Sequence, residues 1–146
     1  MKYFLLIIAL LFTHSLYGQK FQAQPKTKHL ITSTVKQWAQ QNFLPIPHPQ
    51  PTIYIAYAPL HYRMLGMTRK IAPNTYMIDL NGFYDSTRLE RTIIHELVHV
   101  LQMQEGRLEV HAEHILWLDQ PWKFNTPYTK RPWEIEATKA TREYCD

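Results

Sequence analysis

The stretch Asp85-Ser86-Thr87-Arg88-Leu89-Glu90-Arg91-Thr92-Ile93-Ile94-His95-Glu96-Leu97-Val98-His99-Val100-Leu101-Gln102-Met103-Gln104-Glu105-Gly106 governs how the rest of the chain is read. Leu89, Ile93, Ile94, Leu97, Val100 and Leu101 recur at three- and four-residue intervals, the period of an amphipathic α-helix. Thr87 and Glu90 have capping-box spacing, and Gly106 is the residue type that stops a helix in the left-handed conformation. The helix is therefore predicted over residues 87–105. With His95 as origin, Arg88, Arg91, Thr92, His99 and Gln102, all polar, lie within about 60° around the helix. One face is built to be buried, and the opposite polar stripe centres on two histidines.

His95 and His99 stand one helical turn apart on that stripe, so their imidazoles can converge on one Zn²⁺ ion. Glu96 sits about 100° round from His95, where it can act as general base toward a water on that ion. With eight His and eight Glu in the chain, H-E-x-x-H is expected by chance only about 0.02 times. A catalytic zinc takes three protein ligands and keeps one position open. Gln102 and Glu105 occupy the places where a longer version of the motif has its Gly and third His, so the third ligand comes from further along. His111, His114, Asp119, Glu134 and Glu136 are the candidates.

Upstream, apolar residues at Ile31, Val35, Trp38 and Ala39 predict an amphipathic helix over residues 27–43. Four prolines in residues 45–51 fix an extended, stiff connection, because each ring locks φ and disfavours helix in the residue before it. Residues 52–58 are rich in β-branched and aromatic side chains and read as a strand. Residues 64–71 and 75–80 are two more strands joined across Ala72-Pro73-Asn74, and Asn81-Gly82 breaks the pattern. Downstream, residues 108–118 fit either a helix or a strand pair, with Asp119-Gln120-Pro121 a turn. Pro132 opens a last helix over residues 133–144.

The chain has 146 residues, 16 Lys+Arg against 12 Asp+Glu, and one cysteine. That is the length of a single domain. Its 45% hydrophobic and 19% charged content excludes a disordered or collagen-like chain. One cysteine excludes an internal disulfide framework and every cysteine-based structural zinc site, and leaves Cys145 an unpaired thiol. Basic residues pair only at Lys26/Lys28, Arg69/Lys70 and Lys130/Arg131, so no nucleic-acid footprint is present. Met1-Lys2, an apolar run over residues 3–12 and Ser15-Leu16-Tyr17-Gly18 have the anatomy of a secretory signal peptide. Its core of about ten residues is short for a membrane span. Cleavage after Gly18 would leave residues 19–146 as one exported domain, periplasmic or secreted, with no stable membrane insertion. Of eight histidines, His14 leaves with this leader. His29, His48 and His61 lack a ligand-spaced partner, and His111 and His114 lie between glutamates as surface residues do.

Residues 92–102, Thr-Ile-Ile-His-Glu-Leu-Val-His-Val-Leu-Gln, followed by Arg131-Pro132-Trp133-Glu134-Ile135-Glu136-Ala137, resemble the gluzincin branch of the zincin metallopeptidases. The resemblance spans residues 75–144. In such enzymes a later helix carries an E-x-x-A-D pattern whose first Glu is the third zinc ligand. That Glu corresponds to Glu134, with Ala137 matching and Glu136 as the alternative. The Asp that orients a zinc histidine through its other nitrogen falls at Thr138, a departure from the pattern. Glu134 and Glu136 stand about 200° apart on a helix, so only one can face the ion. The resemblance also implies that an extended peptide pairs with the edge strand ahead of the zinc helix, here residues 75–80.

The expected protein is thus a small α+β domain with an N-terminal helix, a short mixed or antiparallel sheet, a zinc-binding helix and a C-terminal ligand helix. Its expected activity is peptide hydrolysis with one Zn²⁺ on His95, His99 and Glu134, Glu96 as base, and a peptide or protein as substrate. Tyr128 and Arg131 are candidate oxyanion donors. The competing class is a zinc-binding structural or interaction protein without turnover.

Overall fold

The computed structural model describes residues 8–10, 25–42, 51–81 and 85–146. The proline-rich connection up to residue 50, Gly82, and all of the proposed leader except residues 8–10 lie outside the described residues. Among the described residues three helices and two small sheets make an α+β architecture. None of these helices is long and apolar enough to cross a membrane.

The first sheet has the order β1-β2-β4-β3, from β1 (Ile8–Leu10), β2 (Thr52–Tyr57), β3 (Gly66–Ala72) and β4 (Thr75–Leu80). β1, β2 and β4 run parallel and β3 antiparallel to β4, so the sheet is mixed. Ile53 stands beside Tyr76 and Ile55 beside Ile78, and these alternating residues are the inward face. Against it pack α1 (Pro25–Asn42), through Ile31, Val35, Trp38 and Ala39, and α2 (Ser86–Gln104), through Leu89, Ile93, Leu97 and Val100. The two apolar stripes visible in the sequence thus form one core.

β3 and β4 join through Pro73-Asn74. Asn74 has φ 52°, the left-handed residue that a turn beginning with proline calls for. β4 lies between β2 and β3 and is hydrogen-bonded on both sides, so it is not an edge strand. The edge beside α2 belongs to β3, and this corrects the expectation that residues 75–80 would receive a substrate strand. An inserted strand leaves no trace in local periodicity, because β4 alternates as an edge strand would.

Helix α2 starts one residue before its predicted limit, and its cap lies two residues before the Thr87 of the capping-box pattern. Asp85 is the cap: its backbone is extended and its Oδ1 accepts from Arg88 N at 2.8 Å. A carboxylate caps as well as a hydroxyl, and its charge also favours the positive end of the helix dipole. At the other end Arg107 N donates to Gln102 O at 2.9 Å and Gly106 N to Met103 O at 3.2 Å. Gly106 takes φ 70°, so the predicted left-handed stop is formed as a Schellman motif.

Residues 108–118 resolve into a strand pair, β5 (Leu108–Val110) and β6 (Ile115–Trp117), to which β7 (Gln120–Trp122) adds. The turn before β7 is Leu118-Asp119, with φ 51° and 63°, and Gln120 and Pro121 already belong to the strand. Proline is tolerated there because β7 is an edge. Trp117 and Trp122 lie 6.3 and 5.9 Å, ring to ring, from Trp133 of α3 (Pro132–Cys145). This indole cluster seats the start of α3 against α2.

Candidate metal centre

Part of the polar stripe of α2 is covered: Thr92, His99 and Gln102 are buried, as is the neighbouring Glu96. What covers it is the first turn of α3 on one side and β3 on the other. Pro132 occupies the first helical position and Trp133 is buried, so Glu134 is delivered over α2 by a fixed turn.

His95 Nε2 lies 3.2 Å from His99 Nε2, and Glu134 Oε2 lies 3.0 Å from the first and 3.3 Å from the second. At metal–ligand distances of about 2.0–2.1 Å, two ligands of a tetrahedral zinc ion stand about 3.3–3.4 Å apart. The triangle formed by this chain has nearly those edges. Among the described residues it is the group of histidines and carboxylates able to hold a metal ion. The donors are two imidazole nitrogens and one oxygen, and an ion held by them would keep its fourth coordination position for water or substrate.

The electrostatics ask for positive charge at the centre. Burial works against a charged His99, but its hydrogen bond with Glu134 and the nearby Glu96 and Glu134 carboxylates raise its pKa overall. Burial also works against an ionised Glu134, yet the two histidines hold its carboxyl well below the usual range. A divalent cation held by these three donors would meet the same demand.

Glu96 lies beside the triangle, buried beneath β3. Burial pushes its carboxyl up, and Glu134 adds to this, against the pull of His99, Thr68 and His95. Thr68 Oγ1 reaches both Glu96 Oε2, at 2.8 Å, and the Glu96 carbonyl, at 3.0 Å. A Cβ on Gly66 would come within 2.7 Å of Glu96 Oε1 and 2.8 Å of its Cγ, so only glycine lets the strand pass this close. The start of β3 is held by Asn81, whose side chain donates to Met64 O at 3.0 Å and whose N–H donates to Leu65 O at 3.0 Å. Asn81, read in the sequence as a break, thus fixes the strand that covers Glu96.

Tyr128 lies in a short 3-10 turn, Tyr128–Lys130, ahead of α3, with its hydroxyl 3.2 Å from His95 Nε2. Partial burial and then the Glu134 carboxylate push the phenol up, while a hydrogen bond with Thr138 opposes them. The phenol therefore stays a neutral donor at the site. Thr138, where the gluzincin pattern has its Asp, serves Tyr128. Arg131 is engaged elsewhere: its Nε donates to Thr126 O and its Nη2 to Phe124 O, each at 2.8 Å. It ties down the loop instead of offering an oxyanion donor.

Glu136 does not join the triangle. Arg107 Nη1 and Nη2 hold its two oxygens at 2.8 and 2.9 Å, and Arg107 and Gln102 together keep its carboxyl below the usual range against the effect of burial. His111 and His114 stack on each other at the β5–β6 turn, both away from core positions, with His111 3.1 Å from Glu109. Asp119 occupies its turn. Three residues at the site carried no functional reading in the sequence: Gly66, Thr68 and Gln102. Gln102 Oε1 lies 2.8 Å from His99 Nδ1. Its position three residues after His99 on the polar stripe was the available signal.

Compared with protein-family models, with curated proteins and with solved structures, the chain has no match in any of the three.

Proposed function

We propose that this chain is a zinc metallopeptidase of the gluzincin type. The observation that carries the reading is the His95–His99–Glu134 triangle, edges 3.0 to 3.3 Å, with the Glu96 carboxylate alongside it. Two imidazoles and one carboxylate with an open side are the donor set of a hydrolytic zinc. A bound zinc ion would act as Lewis acid, making water acidic enough to lose a proton near neutral pH and polarising a carbonyl.

The chain's own residues supply the rest. Glu96, oriented by Thr68, takes the proton from the attacking water and passes it to the departing amine. Burial raises the Glu96 carboxyl above the ordinary value, which suits a group that must both accept and release a proton. The Tyr128 hydroxyl donates to the oxygen that gains charge during attack. A peptide in extended form would lie along the outer edge of β3, which has no strand beside it among the described residues. We infer export from the leader-like sequence of residues 1–18, with the activity in the periplasm or medium.

The test compares wild type with Glu96→Ala on a mixed peptide library, with zinc content measured in both. Zinc-dependent cleavage by wild type, lost in the variant at equal zinc content, is the expected result. Equal cleavage by both proteins would remove Glu96 from the mechanism. Zinc-loaded wild type that cleaves nothing would favour a zinc-binding structural or interaction protein.

A further inference from the structure

Gln102 is fully enclosed, at 0% exposure, and its amide is used from both ends. Nε2 donates to the Trp133 carbonyl at 3.1 Å and to Glu136 Oε1 at 3.3 Å. Both partners are acceptors, because a carbonyl has no proton to give and Glu136 is kept ionised by the two guanidinium bonds from Arg107. Turning the amide over would set oxygen against oxygen twice in a dry setting, so one orientation stands. Oε1 then faces His99 Nδ1 at 2.8 Å, and that contact is a hydrogen bond only when Nδ1 carries the proton. A neutral His99 is left with its lone pair on Nε2, the atom 3.2 Å from His95 Nε2 and 3.3 Å from Glu134 Oε2.

We propose that Gln102 is the positioning residue of the metal centre. By accepting from Nδ1–H it fixes the tautomer and the ring rotation of His99, so that Nε2 is the atom offered to the ion. Trp133 and Glu136 anchor the amide from behind, and Arg107 anchors Glu136. The partner of His99 Nδ1 in this chain is a neutral amide, so among the three donors and this partner the carboxylate charge is that of Glu134. The inference rests on the metal-site reading above, and the experiment separates the two.

Zinc affinity of the full chain is measured by competition with a chromophoric chelator, for wild type and for Gln102→Met, which keeps the side-chain length and removes the amide. The variant is expected to bind zinc 10- to 100-fold more weakly. In parallel, ¹H–¹⁵N spectra of the zinc-loaded, ¹⁵N-histidine-labelled wild type are expected to show His99 protonated at Nδ1 and bound through Nε2. Wild-type affinity in Gln102→Met, or His99 bound through Nδ1, overturns the role of Gln102 and leaves the metal site standing. Wild type that takes up no zinc overturns the metal site and this inference with it. Should Gln102→Met fail to fold, the wild-type spectra decide alone.

Discussion

Thr68 of β3 and Glu96 of α2, 28 residues apart in sequence, meet side chain to side chain at 2.8 Å, so the edge of the sheet grips the carboxylate proposed as general base. A hydrogen bond to a charged group contributes about 1.5–3 kcal/mol, and each 1.4 kcal/mol is a factor of ten in rate. Thr68→Val keeps the shape and removes the hydroxyl. It is expected to lower kcat/KM on a cleaved peptide by about 10- to 100-fold with zinc content unchanged. Thr68→Ser, which keeps the donor, should recover most of that loss. A valine variant as active as wild type would show that Glu96 needs no such hold.

Gly66 makes a related prediction with a different signature. A methyl group there would overlap Glu96 Oε1 and Cγ, and of the two partners it is the side chain that can yield, since the strand is paired to β4. Gly66→Ala should therefore displace Glu96 at a stability cost of about 1–3 kcal/mol. A displacement approaching 1 Å at a reacting group costs on the order of 100-fold in rate. Thermal melts and kinetics on one preparation check this: a small fall in Tm beside a large fall in kcat is expected. A fall in Tm with kcat intact would mean that Glu96 relaxes without consequence.

Glu134 and Glu136 differ by two positions and by everything around them. Glu134 faces two imidazoles, while Glu136 faces a guanidinium and an amide. Glu134→Ala removes one of three ligands and is expected to abolish equimolar zinc binding at micromolar metal. Glu136→Ala should keep full zinc content, because Gln102 retains its bond to the Trp133 carbonyl. The exposed pair with Arg107 is worth roughly 1 kcal/mol or less, so its loss should move Tm by only a few degrees. Zinc stoichiometry by atomic emission on the two variants decides the assignment. Zinc lost from the Glu136 variant and kept in the Glu134 variant would reverse it.

The parts legible in sequence are those with a local period or cap. The stripe of Ile31, Val35, Trp38 and Ala39 is buried as read, as is the stripe of α2 except for the half-buried Leu101, and strand residues 75–80 have the expected limits. Glu134 was one of five candidates by residue type and was singled out only through the resemblance, because a carboxylate 39 residues from His95 has no short-range signal. Gln102 was visible as a polar residue facing the histidines' side. That it is buried, not solvated, follows from α3 folding over it, which no helical wheel contains. Gly66 and Thr68 matter through a strand crossing a helix, and the position of β3 at the edge depends on β4 inserting between it and β2. The Leu118-Asp119 turn escaped because leucine at φ 51° is a choice that turn composition does not favour.

The end of α2 offers a change in stability with no change in chemistry. Gly106 adopts φ 70° and a Cβ there would meet nothing within 4 Å, so substitution brings backbone strain without a clash. For an ordinary L-residue the left-handed conformation costs about 1–2 kcal/mol, less for asparagine, which can hydrogen-bond locally. Gly106→Ala should lower Tm by roughly 3–8 °C at the scaling of a domain this size. Gly106→Asn should cost less than Gly106→Ala, and Gly106→Val more, since branching at Cβ crowds the same conformation. The Schellman bonds end at Gln102 O and Met103 O, so the backbone that carries His95, Glu96 and His99 lies upstream of the strain. Zinc affinity in all three variants should therefore match wild type below the melting transition. A graded loss of zinc affinity along the same series would show that the helix stop and the metal centre are mechanically coupled, through Gln102, which carries both a carbonyl of the cap and the amide behind His99.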